Sequence, residues 1–98
     1  MTIVRAGGLA AFVRQTELDS AELPPDAAAT LRALVDALER AALPQPPHPD
    51  ELRYELTVDA ELLVRATEQT LSESSRRLIG FVDGRPERVD AVEPLQEG

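Results

Sequence analysis

The sequence predicts an α+β fold with elements in the order ββαββα, on three observations. Residues 23–43 carry apolar side chains on one side of a helix. Residues 52–58 alternate apolar and polar side chains as a strand does. A glycine pair, Gly7-Gly8, separates two short apolar runs near the start. Two hairpins and two amphipathic helices assemble most simply as a four-stranded antiparallel sheet with both helices packed on one face.

Thr2, Ile3 and Val4 are β-branched and favour a short first strand over residues 2–5. Gly7-Gly8 then accepts the positive φ of a hairpin or bulged loop. A second strand is expected over residues 9–18. Phe12, Arg14, Thr16 and Leu18 share one side, and Ala11, Val13 and Gln15 the other. The pattern does not say which side is buried. Residues 19–22 form a polar turn.

In the long central helix, Ala27, Leu31, Leu34, Val35, Leu38 and Ala42 make one stripe at helical spacing. Pro24-Pro25-Asp26 marks its start, because proline tolerates the first turn and a carboxylate suits the positive end of the dipole. Leu43-Pro44 marks its stop, because the residue before a proline is pushed out of helical dihedrals. Four prolines within residues 43–50 exclude both helix and ladder strand there.

Leu52, Tyr54, Leu56 and Val58 alternate with Arg53, Glu55 and Thr57, the cleanest strand pattern in the chain. Asp59-Ala60-Glu61 turns into a partner strand over residues 62–67. Thr70 and Glu73 have capping-box spacing ahead of a second helix that runs to about Asp83. Its inner stripe is Leu71, Ser75, Leu78, Ile79 and Val82, with Gly84 as the residue past its end. Residues 1–84 therefore read as one domain. Residues 85–98 show no helical or strand period and read as an acidic, disordered tail. Counting strand directions puts the glycine loop and the 44–50 connector at the same end of the sheet.

Composition excludes several function classes. The net charge of −8 disfavours nucleic acid, whose phosphates need clustered cations. With no cysteine there is neither a disulfide framework nor a thiolate nucleophile or metal ligand. The N-terminal stretch lacks a long apolar run and is interrupted by Arg5 and Arg14, so neither a signal peptide nor a membrane span is expected. A cytoplasmic location is the simpler reading. All ten cationic residues are arginine, an association with GC-rich bacterial coding rather than a physical argument.

No catalytic residues, cofactor site or metal site are expected. The single histidine, His48, sits between prolines without a positioned partner, and a general base needs one. His48 and Asp50 two residues apart do not close a metal site. Gly7-Gly8 alone falls short of a phosphate-binding loop. The acidic residues Glu17, Asp19 and Glu22 suit the start of a helix, and Ser72, Ser74 and Ser75 suit another. An enzyme is not expected, and a binding role follows by elimination.

A set of short stretches adds a resemblance. Ile3-Val4-Arg5 leads into Gly7-Gly8-Leu9-Ala10. Leu18-Asp19 is followed by Leu23-Pro24-Pro25, then by Leu31 through Val35, with Leu43-Pro44 closing the helix. Tyr54-Glu55-Leu56-Thr57-Val58 comes next, then Leu71-Ser72 with Arg76, Leu78 and Ile79. In this order the stretches resemble the emfourin family, small bacterial protein inhibitors of protealysin-like, thermolysin-type zinc metalloproteases. The likeness covers about residues 2–83, with Leu9 standing where the family's glycine loop has phenylalanine and Ala11 where it has glycine. The resemblance implies occlusion of a metalloprotease active-site cleft. The expected contacts are Gly7, Gly8 and Leu9 with Pro46, Pro47, His48 and Asp50 of the connector, since pre-ordered loops lose less entropy on binding. The alternative is a non-inhibitory interaction domain that dimerises through a sheet face or edge.

Overall fold

The computed structural model describes residues 1–7, 12–40 and 52–94. Five strands form one antiparallel sheet: β1 Thr2–Gly7, β2 Phe12–Glu17, β3 Leu52–Val58, β4 Glu61–Thr67 and β5 Val89–Pro94, in the order β4-β3-β1-β2-β5. Two helices, α1 Pro25–Asp36 and α2 Glu73–Asp83, and a short 3-10 turn, Ser20–Glu22, complete the described chain. The α+β class and both hairpins are as expected, but the sheet has five strands rather than four. The fifth lies in the stretch read as a disordered tail. Its side chains show no buried period because Val89, Asp90, Ala91 and Val92 are all exposed, so only its main-chain ladder with β2 identifies it.

The core lies on one side of the sheet. Ile3 pairs with Leu56 across β1 and β3, and Leu56 with Val64 across β3 and β4. All three are buried, as is Ala66. Ala27 and Leu31 of α1 and Leu78 and Val82 of α2 close over them as one cluster. Leu34, Val35 and Leu38 pack at its margin, so the helical stripe read from the sequence faces the sheet. Strand alternation then sends Val4, Gln15 and Glu55, which lie side by side in register, to the opposite face. In β2 the helix-facing side is that of Thr16 and Leu18, both buried, while Gln15 is exposed.

Several boundaries differ from expectation. Helix α1 ends at Asp36, well before Leu43-Pro44. The Glu39 amide donates to the Ser74 hydroxyl of α2 at 3.1 Å, and the Leu38 amide reaches only back to the Val35 carbonyl. A contact with α2 thus replaces the next helical hydrogen bond. The cap of α2 is Ser72, whose hydroxyl accepts from the Ser75 amide at 3.1 Å. Thr70 instead bonds with Thr67. Gly84 ends α2 with φ −83, a dihedral open to any residue, so no left-handed cap forms there.

The expected direction of α1 is also corrected. The helix starts beside the Thr2 and Glu17 ends of β1 and β2, and Arg40 beyond it pairs with Glu61, the first residue of β4, at 3.2 Å. Glu61 lies at the end of the sheet opposite Gly7 and Leu52. The helix therefore crosses the strands near one end instead of returning to the other. The connector's two described flanks, Arg40 and Leu52, lie at opposite ends of the sheet.

The β3–β4 hairpin closes on a two-residue turn with Val58 opposite Glu61. Asp59 and Ala60 both have positive φ, 51 and 64, the primed turn that matches the twist of its strands. A bulge follows, since Leu56 pairs with Val64 and Thr57 with Leu62. Leu63 is the unpaired residue and packs on the core, while Leu62 is exposed. Left-handed backbone at Ala60 costs roughly 1–2 kcal/mol. Ala60→Gly relieves it and gives back about 0.4–1 kcal/mol in unfolded-state freedom. Thermal denaturation is expected to show Tm raised by roughly 2–8 °C in Ala60→Gly and lowered in Ala60→Val.

Candidate functional site

Three strand ends meet at one rim of the sheet. Gly7 lies opposite Phe12 on one side and opposite Leu52 on the other. The glycine loop and the downstream end of the proline connector therefore leave from adjacent strands. Gly7 has φ 98, a conformation that a side chain would strain. Of the expected contact residues, Gly7 is placed at this rim. Gly8, Leu9, Pro46, Pro47, His48 and Asp50 lie outside the described residues.

The β4 corner of the rim is tied down by main-chain bonds. The Glu68 amide donates to the Leu52 carbonyl at 3.0 Å, extending the β3–β4 ladder by one step. The Thr67 amide donates to the Thr70 hydroxyl at 2.8 Å, and the Thr70 amide to the Thr67 hydroxyl at 3.3 Å. Arg76 of α2 adds a 2.6 Å bond to the Glu68 carbonyl. A rim held this way presents its loops from fixed points.

Below the rim, Arg5 and Arg14 stand directly opposite each other on β1 and β2. Like charges so placed repel, and each arginine is met by its own carboxylate. Arg5, with 11% of its side chain exposed, pairs with Asp83 at the end of α2 at 2.6 Å, leaving its Nε buried without a partner. Arg14 donates to Asp90 of β5 at 3.2 Å. Asp90 also accepts from the buried Thr16 hydroxyl at 2.6 Å and from Arg88 at 3.0 Å. The Thr16 hydrogen bond, aided by Arg14 and Arg88 against some desolvation, holds the Asp90 carboxyl below its ordinary range. The guanidinium of Arg85 does the same for Glu87 through a paired hydrogen bond.

At the opposite rim, a groove of about 730 Å³ runs between α1 and the sheet. Leu18, Leu31 and Val35 line it together with Glu17, Asp36 and Asp59. The acidic run before α1 is partly local structure, since the Asp19 carboxylate caps the 3-10 turn through the Ala21 amide at 2.9 Å. Among the described residues no group of three or more His, Cys, Asp or Glu could hold a metal ion. No helix among them is long and apolar enough to cross a membrane.

Sequence reasoning missed the Arg5–Asp83 pair and the Asp90 cluster. Both join residues more than 70 positions apart. The one local signal was arginine at both helix-facing positions flanking the glycines, Arg5 and Arg14, where an apolar residue would be expected.

The described residues define a small α+β domain with one sealed sheet face and loop ends gathered at one rim. The Emfourin family model matches residues 3–83, and the chain belongs to that family. No curated protein and no solved structure matches it.

A carboxylate whose pKa is lower in the folded than in the unfolded state stabilises the fold above its unfolded pKa and ceases to do so as pH falls through the folded value. For Asp90 that loss begins below about pH 4. Urea denaturation at pH 7 and at about pH 3 is expected to show a smaller acid-induced loss of stability in Asp90→Asn than in the parent. Equal losses would show that the cluster contributes nothing.

Proposed function

We propose that this chain inhibits a thermolysin-type, protealysin-like zinc metalloprotease by occluding its active-site cleft. The family match over residues 3–83 carries the reading. The rim geometry supports it, because Gly7 and Leu52, one described flank of each loop expected to make contact, are cross-strand partners. Those contacts are Gly8 and Leu9 beside Gly7, and Pro46, Pro47, His48 and Asp50 on the connector. Loops launched from a hydrogen-bonded rim lose less freedom on binding, and the inhibitor gains affinity for that reason. The net charge of −8 favours a basic approach surface on the target. On this reading the chain performs no chemistry of its own and needs no cofactor.

Progress curves of a thermolysin-type protease with increasing inhibitor test the proposal. Saturable inhibition is expected. Gly8→Trp should weaken it by at least about tenfold, or ~1.4 kcal/mol, with Tm unchanged. No inhibition by the parent chain at any concentration would overturn the proposal. Full inhibition by Gly8→Trp would remove the glycine loop from the contact.

A further inference from the structure

Strand β5 stands apart from the rest of the domain in three ways. It lies beyond residue 83, where the family match ends. Its described side chains, Val89 to Val92, are all exposed, with Val89 at 65% and Val92 at 58%. No residue of it enters the hydrophobic core cluster among the described residues. What holds it is a six-pair ladder along β2, from Val89 opposite Glu17 to Pro94 opposite Phe12, and one side-chain clasp. The clasp is Asp90, which accepts from Thr16 and Arg14 of β2 and from Arg88 of its own approach segment.

The β2 side of that clasp is made by two side chains, Thr16 and Arg14. With β5 in place Thr16 is fully buried, and its hydroxyl donates to Asp90. Arg14 stands opposite Arg5, whose own carboxylate, Asp83, is already engaged, so Arg14 depends on an acceptor from the neighbouring strand. Removing β5 would leave a bare strand edge, a row of main-chain donors and acceptors that pairs readily with another extended segment. It would also leave a hydroxyl and a guanidinium that want a carboxylate at one register position.

We propose that the β2 edge is an acceptor site for an extended polypeptide strand carrying Asp or Glu opposite Thr16, and that β5 is a detachable strap occupying it. Residues 1–84 form the complete folding unit, and the strap competes from within the chain with an acidic strand of another protein. Main-chain pairing supplies affinity, and the carboxylate at the Thr16 position sets register and selects the partner. The site adjoins the rim through Phe12, yet the proposal does not depend on protease inhibition.

The probe is a fluorescent synthetic peptide of residues 87–95, Glu-Arg-Val-Asp-Ala-Val-Glu-Pro-Leu, titrated into full-length protein by anisotropy. In Asp90→Ala the internal strap has lost its clasp while the β2 edge is intact. Saturable binding to Asp90→Ala is expected, at least about tenfold tighter than to the parent, whose strap has a local concentration on the order of millimolar. Asn in place of the peptide's Asp, or Thr16→Val added to Asp90→Ala, should abolish it. Hydrogen exchange reports on the fold. In Asp90→Ala the β2 amides that face β5 should exchange at least about tenfold faster, while those between β1 and β3 stay within about twofold. Faster exchange throughout the sheet would make β5 an integral strand and overturn the proposal. Equal peptide binding by parent and variant, or no binding by Asp90→Ala, would overturn it as well.

Discussion

The structure depends on the closure of two helical stripes over the row Ile3–Leu56–Val64. Those three side chains belong to consecutive strands in space and lie in register. Leu78 and Val82 from one helix and Leu31 from the other cover them, and all are buried. Fully burying an aliphatic side chain contributes about 1.5–3 kcal/mol. Among the described residues the buried apolar side chains form a single cluster. With only three aromatic residues in the sequence, branched aliphatics fill this layer. One-sided closure sets everything else: it fixes strand register, turns the opposite face to water, and leaves the sheet's two rims as places where other molecules can approach.

The rims differ in character. At one, three adjacent strand ends carry both flanks of the glycine loop and the downstream flank of the proline connector, and main-chain bonds from Glu68, Thr67 and Thr70 stiffen the corner. At the other, α1 crosses over an acidic groove and the β3–β4 turn adopts left-handed dihedrals. Between them, Arg5 and Arg14 are buried or half-buried on the helix-facing side, where arginine is costly unless paired. Their carboxylates come from the C-terminal end of α2 and from β5. These two pairs join the last third of the chain to the first hairpin.

The parts legible in the sequence were those with a long periodic signal. The stripe of Ala27, Leu31, Leu34, Val35 and Leu38 named the buried face of α1. The alternation of Leu52 to Val58 named β3, and Ser75, Leu78 and Val82 named the inner side of α2. Tertiary contacts settled what periodicity could not. Helix α1 stops where Ser74 takes over the Glu39 amide, a partner 35 residues away that no local pattern announces. Its crossing near one end of the sheet, where Val35 and Asp36 share a groove with Val58 and Asp59, is likewise a placement between residues far apart in the sequence. Strand β5 was hidden because its side chains contribute no buried alternation, and a strand recruited by main-chain bonds to an edge needs none. Of the candidate contact residues only Gly7 is placed. Its position between Phe12 and Leu52 sets it beside the connector's downstream flank, while the upstream flank, Arg40, lies at the other end of the sheet.

The one-sided core is tested most directly by comparing two substitutions on adjacent strands, Leu56→Ala under the helices and Val4→Thr on the open face, by urea denaturation. Loss of a fully buried leucine should cost about 2–5 kcal/mol. The β-branched swap on a face open to solvent should stay within about 1 kcal/mol. Comparable costs at the two sites would mean that both faces of the sheet are sealed, contradicting the account.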